Sequence, residues 1–312
     1  MSSKTKKLTF AQKVSKHKQL IPFVLPAILF ALIFCYLPMA GIVIAFKDNP
    51  NFMRYDVFEA HQRADWTLEH FEMIFSDPEI FRVVRNTLII SVMKIVILFP
   101  LPVILAVMIT ELRSQKFSKL VQGLVFLPHF FSWVVIVGIF NSLFGLYGPI
   151  NNIVEALGGT PTHFMGEPLW FRWLVVILSG WKEIGYSSIV YIAAIMSIDP
   201  SLYEAAKIDG ASKLKQIWNI TIPSIMPTII VMLIIRIGYL MDAGFEQVYA
   251  MLNANTMSTG DIIGTFVYRK AMGAESNYGL STAVGLINGL ISMGLILGAN
   301  YFSKKKTGSG VW

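Results

Sequence analysis

Six runs of mostly apolar residues, each long enough to cross a bilayer, constrain this chain more than any other feature. A hydrocarbon core takes about 20 such residues in a helix. The runs are Leu20–Phe46, Asn86–Thr110, Leu120–Phe144, Trp170–Ile198, Ser224–Phe245 and Tyr278–Phe302. Charged residues make up only 14% of the 312, where a water-soluble domain carries about 25%. A chain of this kind must satisfy its backbone within helices or a closed barrel. The lengths of the runs select helices, so the expectation is an all-α membrane protein of six spans.

The first run follows a basic stretch, as a secretory signal does. It is about twice the length of a signal's apolar core, and no small-residue cleavage site ends it. It reads as a retained anchor. The second run carries Lys94, Pro100 and Pro102 and is expected to kink. The chain then divides into a basic tail (1–19), a membrane domain (20–302) holding a polar loop (199–223), and a short tail (303–312). No detachable soluble domain is apparent.

Orientation follows from the excess of Lys and Arg on cytoplasmic loops. The N-terminal tail holds Lys4, Lys6, Lys7, Lys13, Lys16 and Lys18 and no acid. Arg113, Lys116 and Lys119 follow span two; Lys207, Lys213 and Lys215 follow span four; Lys304, Lys305 and Lys306 close the chain. The opposite loops hold few bases, and the first of them carries eight acids between Asp48 and Glu79. Both termini and the 199–223 loop are therefore expected in the cytoplasm. The same pattern accounts for the net charge of +7 through anionic headgroups rather than nucleic acid.

Catalytic signatures are missing. The sequence has no Gly-x-x-x-x-Gly-Lys-Ser/Thr loop for phosphates, no dinucleotide fingerprint and no His-Glu-x-x-His. His17, His61, His70, His129 and His163 are scattered, and the single Cys35 excludes an intrachain disulfide. An enzyme, a bound metal and a bound cofactor all lack a constellation. His129 reads as a packing histidine.

The polar loop is the exception in a lipid-adapted chain. Asp199-Pro200 can cap a helix and start it, and Ser201–Ile208 makes about two turns with Leu202, Tyr203 and Ala206 on one face. Gly210 permits the positive φ that reverses the chain. Ser212 can cap a second helix, expected to run to Ile222 through Leu214, Ile217 and Trp218 before Pro223 and Pro227 re-enter the membrane. Two readings stay open on these residues alone. One is a socket for a soluble partner; the other is an amphipathic hairpin lying on the headgroups.

The string Glu204-Ala205-Ala206, Asp209-Gly210-Ala211, Ile220 and Pro223 resembles the EAA signature of the membrane subunits of bacterial ABC importers. Asn86-Thr87, Phe126-Leu-Pro128, Gly148-Pro-Ile-Asn151, Asp199-Pro200 and the closing Gly-Val-Trp312 resemble the maltose-like carbohydrate-uptake branch, in its subgroup for complex oligosaccharides. The resemblance runs from about Leu20 to Trp312. It implies the type I importer permease fold in the bacterial cytoplasmic membrane, with a second permease subunit, two ATPase subunits that hold ATP and Mg, and an extracytoplasmic solute-binding protein. It also implies that the Glu204 helix seats in the ATPase. This chain would bind no cofactor.

Ionisable and aromatic residues at membrane depth are the substrate-pathway candidates. They are Trp181, Glu183 and Tyr186 in span four, Arg236 and Tyr239 in span five, and Asn288 in span six, with Lys94 and Lys182 nearby. Aromatic rings would stack on pyranoses, and Glu183 or Arg236 would bond hydroxyls or a uronate. The competing reading is a Glu183–Arg236 ion pair that only holds spans together. Gly285-x-x-x-Gly289 and Gly294-x-x-x-Gly298 are expected to pack helices closely. An importer of a non-sugar solute, an ion-coupled transporter and a membrane scaffold are the alternatives.

Overall fold

The computed structural model describes residues 21–48, 55–273 and 276–312. The basic tail 1–19 expected from the sequence lies outside the described residues. Helices dominate: α1 (Pro22–Phe46), α2 (Val57–Arg63), α3 (Glu69–Ser76), α4 (Pro78–Thr110), α5 (Gln115–Phe126), α6 (Trp133–Phe144), α7 (Pro149–Ala156), α8 (Pro168–Met196), α9 (Pro200–Ile208), α10 (Lys213–Gly238), α11 (Phe245–Met251), α12 (Met257–Gly260), α13 (Ile263–Met272) and α14 (Tyr278–Thr307). Among the described residues β pairing is limited to one bridge, Lys47 to Trp66. Among the described residues five helical segments are long and apolar enough to cross a membrane: α1, α4, the α6–α7 stretch Trp133–Ala156, α10 and α14. The number is six if α8 and α9, bent by 69° at their junction, count as one broken span.

Three of the prolines inside spans follow a wide turn. Five-residue π turns at Leu32–Tyr36, Lys94–Leu98 and Ile217–Thr221 precede Pro38, Pro100 and Pro223. A proline ring clashes with the carbonyl four residues back. Widening the turn moves that carbonyl aside while backbone bonding continues.

The span expected over Leu120–Phe144 is broken in two. Pro128 cannot donate to the ladder, so α5 tightens into a single 3₁₀ turn, Leu127–Phe130. Phe131 is extended there, and Ser132 caps α6, its Oγ accepting from the Val135 amide at 3.3 Å. Span five also ends earlier than the Phe245 expected. α10 stops at Gly238, and residues 239–262 fold back into the bundle instead of standing clear of it.

Three apolar clusters hold the bundle. One joins Ile90, Ile136, Phe171, Leu174, Leu178, Val248 and Met251. A second joins Val83, Met241, Phe266, Leu280 and Val284, and a third joins Val103, Ile109, Tyr191, Ile192 and Ile225. The glycines of α14 make no close helix contact among the described residues. Among the described residues, a Cβ built on Gly285, Gly289, Gly294 or Gly298 meets no atom within 4 Å beyond its chain neighbours and its own helix's adjacent backbone. Close helix contact occurs elsewhere, at Gly185 of α8 against the Val125 backbone of α5.

Several residues quoted for the resemblance turn out to be staples. Asn86 donates to the carbonyls of Ser258 and Asp261 at 3.2 and 3.0 Å and accepts from Arg172 at 2.8 Å. Thr87 Oγ1 accepts from the Ile263 amide at 2.9 Å. Asn151 closes its loop by donating to the Gly145 and Thr162 carbonyls, both at 2.8 Å.

Candidate functional site

Two constellations stand out, joined by α10. The first is the polar hairpin at one end of that helix. Asp199 Oδ1 accepts from the Ser201 amide at 2.9 Å, and that bond holds the Asp199 carboxyl below the usual carboxylate range. Pro200 opens α9 where its missing amide hydrogen costs nothing.

α9 closes with paired end bonds, Ala211 amide to Ala206 carbonyl at 2.8 Å and Gly210 amide to Lys207 carbonyl at 3.1 Å. This closure requires Gly210 at φ +74°. A Cβ there meets nothing within 4 Å, so the demand is purely one of backbone conformation. Gly210→Val is expected to cost about 1–2 kcal/mol locally. Proteolytic cleavage within 199–223 should then rise about tenfold while global thermal stability stays within a degree or two.

Ser212 caps the return helix, its Oγ accepting from the Lys215 amide at 3.4 Å. That helix does not stop at Ile222. It runs through the π turn and Pro223 to Gly238 as one rod.

No side chain of α9 is buried. Glu204, Ala205, Asp209, Gly210 and Pro223 are exposed, while Ala206, Ala211 and Ile220 are half-buried. Apolar groups are left uncovered as well: Ile208 is 87% exposed, Leu214 69% and Trp218 68%. Glu111, at the far end of α4, reaches Lys213 at 2.6 Å, which puts the loop between α4 and α5 on the same face as the hairpin.

The second constellation is a cavity of about 360 Å³ where α4, α8 and α10 face one another. It lies beside residues of the first and third apolar clusters. Glu183, Arg236 and Tyr239, named from the sequence, all line it, as does Lys94. Arg236 and Tyr239 are exposed, and the Arg236 side chain makes no hydrogen bond or ion pair among the described residues.

The Glu183–Arg236 ion pair of the competing reading is absent among the described residues. Glu183 Oε2 instead lies 3.3 Å from His129 Nδ1, off the axis of a hydrogen bond. Trp181, Tyr186 and Asn288 are not part of the wall. Trp181 meets Phe140 edge-on at 5.5 Å. Tyr186 stacks on His129 with ring centroids 3.8 Å apart. Asn288 belongs to α14, where its Oδ1 is buried without a hydrogen-bond partner.

Other lining residues escaped the sequence reading. Ser179, Asp242 and Gln247 share the wall. Gln247, wholly buried, is a hub: it donates to the Val175 carbonyl at 2.7 Å and accepts from Ser179 at 2.6 Å and Lys94 at 2.9 Å. Lys94 also donates to the Ala243 carbonyl at 2.8 Å. The only signal for Lys94 is its charge in an apolar run. Gln247 carries none, since it falls in the stretch between spans five and six that reads as an outer loop.

Residues 99–306 match the family described as "Binding-protein-dependent transport system inner membrane component". The chain is 38% identical to the polygalacturonan/rhamnogalacturonan transport system permease protein YteP of Bacillus subtilis, over 99% of this chain and 95% of that protein. Protein LplB of the same organism is also 38% identical, over 98% and 95%.

Among solved structures, a bacterial ABC transporter involved in the import of the acidic polysaccharide alginate superposes with TM-score 0.86. The identity is 35%, over 95% of this chain and 98% of that one. The bacterial alginate transporter in complex with its pentasaccharide-bound periplasmic protein gives 0.85 at 36%, over 97% and 99%. Membership of this kind sets aside the ion-coupled and scaffold alternatives, and an enzyme with them. With its apolar spans, EAA-type hairpin and whole-length likeness to importer permeases, the chain belongs to the binding-protein-dependent transport system inner membrane component family, the membrane-spanning subunits of ABC importers.

Proposed function

We propose that this chain is one transmembrane half of an ATP-driven importer of oligosaccharides, with uronate-containing chains as its cargo. The observation that carries the proposal is Arg236: an exposed, unpaired guanidinium in the cavity wall beside the ring of Tyr239, on the helix whose other end is the hairpin. A guanidinium fork takes a carboxylate in two parallel hydrogen bonds, and a tyrosine ring offers a face for a pyranose. Relatives named for rhamnogalacturonan and alginate handle acidic glycans, which agrees with this chemistry.

A second permease completes the pore, a periplasmic-type binding protein delivers the sugar, and two ATPase subunits hold ATP and Mg. The hairpin is the socket for one of those ATPases, through Glu204, Ala205, Ala206, Asp209, Gly210 and Ala211, with Ile220 and Pro223 setting its return. The uncovered Ile208, Leu214 and Trp218 support that role, since an exposed apolar patch on a polar loop marks a contact surface. The hairpin and both termini face the cytoplasm, as the clustered lysines direct.

The test is uptake by the complete transporter in proteoliposomes, with a galacturonate trisaccharide against a neutral trisaccharide, an amino acid and inorganic phosphate. Wild-type protein is expected to take up the galacturonate. Arg236→Gln should lower that uptake about 30-fold or more, the loss of a charge pair that cargo closes and desolvates on binding, with binding-protein affinity unchanged. Equal uptake of neutral and anionic sugars by both forms would remove the uronate assignment. Uptake of amino acid or phosphate alone would remove the sugar.

A further inference from the structure

α9 hangs from the bundle by few links. None of its side chains is buried, and its two chain connections pass through the Ser197–Asp199 turn and through Gly210–Ser212. Among the described residues one side-chain hydrogen bond ties α9 to the membrane-spanning body: Tyr203 hydroxyl to Thr221 Oγ1, at 2.9 Å. Thr221 is itself buried, at 3% exposure, and it is the last residue of the π turn Ile217–Thr221.

From there α10 runs on without interruption to Gly238, carrying Arg236 fifteen residues, roughly 22 Å, further along the axis. One end of the strut is thus on the exposed helix. The other is rooted at the base of the rod that reaches the cavity.

We propose that the Tyr203–Thr221 hydrogen bond is the strut that delivers displacement of α9 to α10, and so to the cavity wall. This rests on the reading of the hairpin as the ATPase socket. A helix held only by its flexible ends would turn in place when its partner moved, and the rod would stay behind. Tethering mid-helix to the buried Thr221 converts a push on α9 into a push on α10. The neighbouring Lys213–Glu111 bridge is surface-exposed, with side chains 64% and 33% accessible, and solvent screening makes it a weak competitor for the load. Tyr203 and Thr221 are positioning residues: they touch no cargo.

The experiment uses the complete transporter, comparing wild type with Tyr203→Phe, Thr221→Val, the double variant and Thr221→Ser. The readout is sugar transported per ATP hydrolysed in the presence of loaded binding protein, with the ATPase co-purified per permease as a parallel measurement. Each single variant is expected to lower transport per ATP about three- to tenfold, the change one lost hydrogen bond makes to an equilibrium. The double variant should fall no further, because both changes remove the same bond. Thr221→Ser, which keeps the hydroxyl, should retain the wild-type ratio.

Wild-type transport per ATP in Tyr203→Phe, or losses that multiply in the double variant, would overturn the strut. Failure of the underlying reading shows differently. ATPase that stays bound at the wild-type ratio after Glu204→Lys would mean that the hairpin is not its socket, whatever Tyr203 does.

Discussion

Gly185→Ala is expected to leave almost no folded protein. Gly185 is buried in α8 where α5 crosses it, and a methyl group there would overlap the Val125 carbonyl oxygen, with the carbonyl carbon 2.5 Å away. The obstacle is helical backbone, which cannot rotate aside as a side chain can. Relief requires sliding α5 off α8, and with it the packing of Val121, Val125 and Phe126 on Tyr191 and Ile192. Alanine's advantage over glycine in a helix is about 1 kcal/mol, while overpacking against fixed backbone costs about 3 kcal/mol or more. The clash wins.

The measurement is the monodisperse yield and melting temperature of the isolated subunit in detergent. Gly285→Ala and Gly289→Ala supply the contrast, since their added methyl meets nothing in this chain. They should melt at or slightly above the wild-type temperature. If Gly185→Ala behaves as they do, the α5–α8 crossing is not as close as described.

That contrast shows what the sequence does and does not display. Spans and caps are local. Apolar length finds α1, α4, α10 and α14, and α8 as part of a bent pair with α9, while Asp199, Gly210 and Ser212 perform the capping and reversal their chemistry suggests. Contacts between spans are not local. The Gly-x-x-x-Gly pairs look like packing seams yet face away from this chain, and the tight crossing sits at an isolated glycine with no pattern around it.

The cavity follows the same division. Charge in an apolar run exposes Arg236, Glu183 and Lys94, but which of them share a wall depends on helix rotation. Trp181 and Tyr186 are close neighbours of Glu183 in sequence yet pack on other groups. Gln247 reaches the wall only because residues 239–262 turn back into the bundle, a tertiary event without a sequence period. Polarity in a loop ordinarily signals solvent, and here it supplies a buried hub.

Lys182 is the other residue whose removal should be severe, and its role is structural where the sequence suggested proximity to cargo. It is buried, and its Nζ donates to the His129 carbonyl at 2.6 Å and the Phe131 carbonyl at 2.5 Å, with the Trp133 ring centroid 5.3 Å away. Those carbonyls belong to the break between α5 and α6. The Val135 amide that would serve Phe131 in an unbroken helix is taken by Ser132 Oγ. The pyrrolidine of Pro128 prevents repair by straightening.

An ammonium group with three donors is thus the buried cap for a broken span. Lys182→Met keeps the length of the side chain and deletes the donors. Leaving buried acceptors unsatisfied costs about 1–3 kcal/mol each, so the two together are expected to remove about 2–6 kcal/mol. Arginine has donors of its own and should preserve much of the stability. The check is the melting temperature in detergent together with uptake by the assembled transporter. Lys182→Met should melt well below wild type and transport little, with Lys182→Arg between them. A Lys182→Met protein that melts normally but no longer transports would instead move Lys182 from the break to the cargo path.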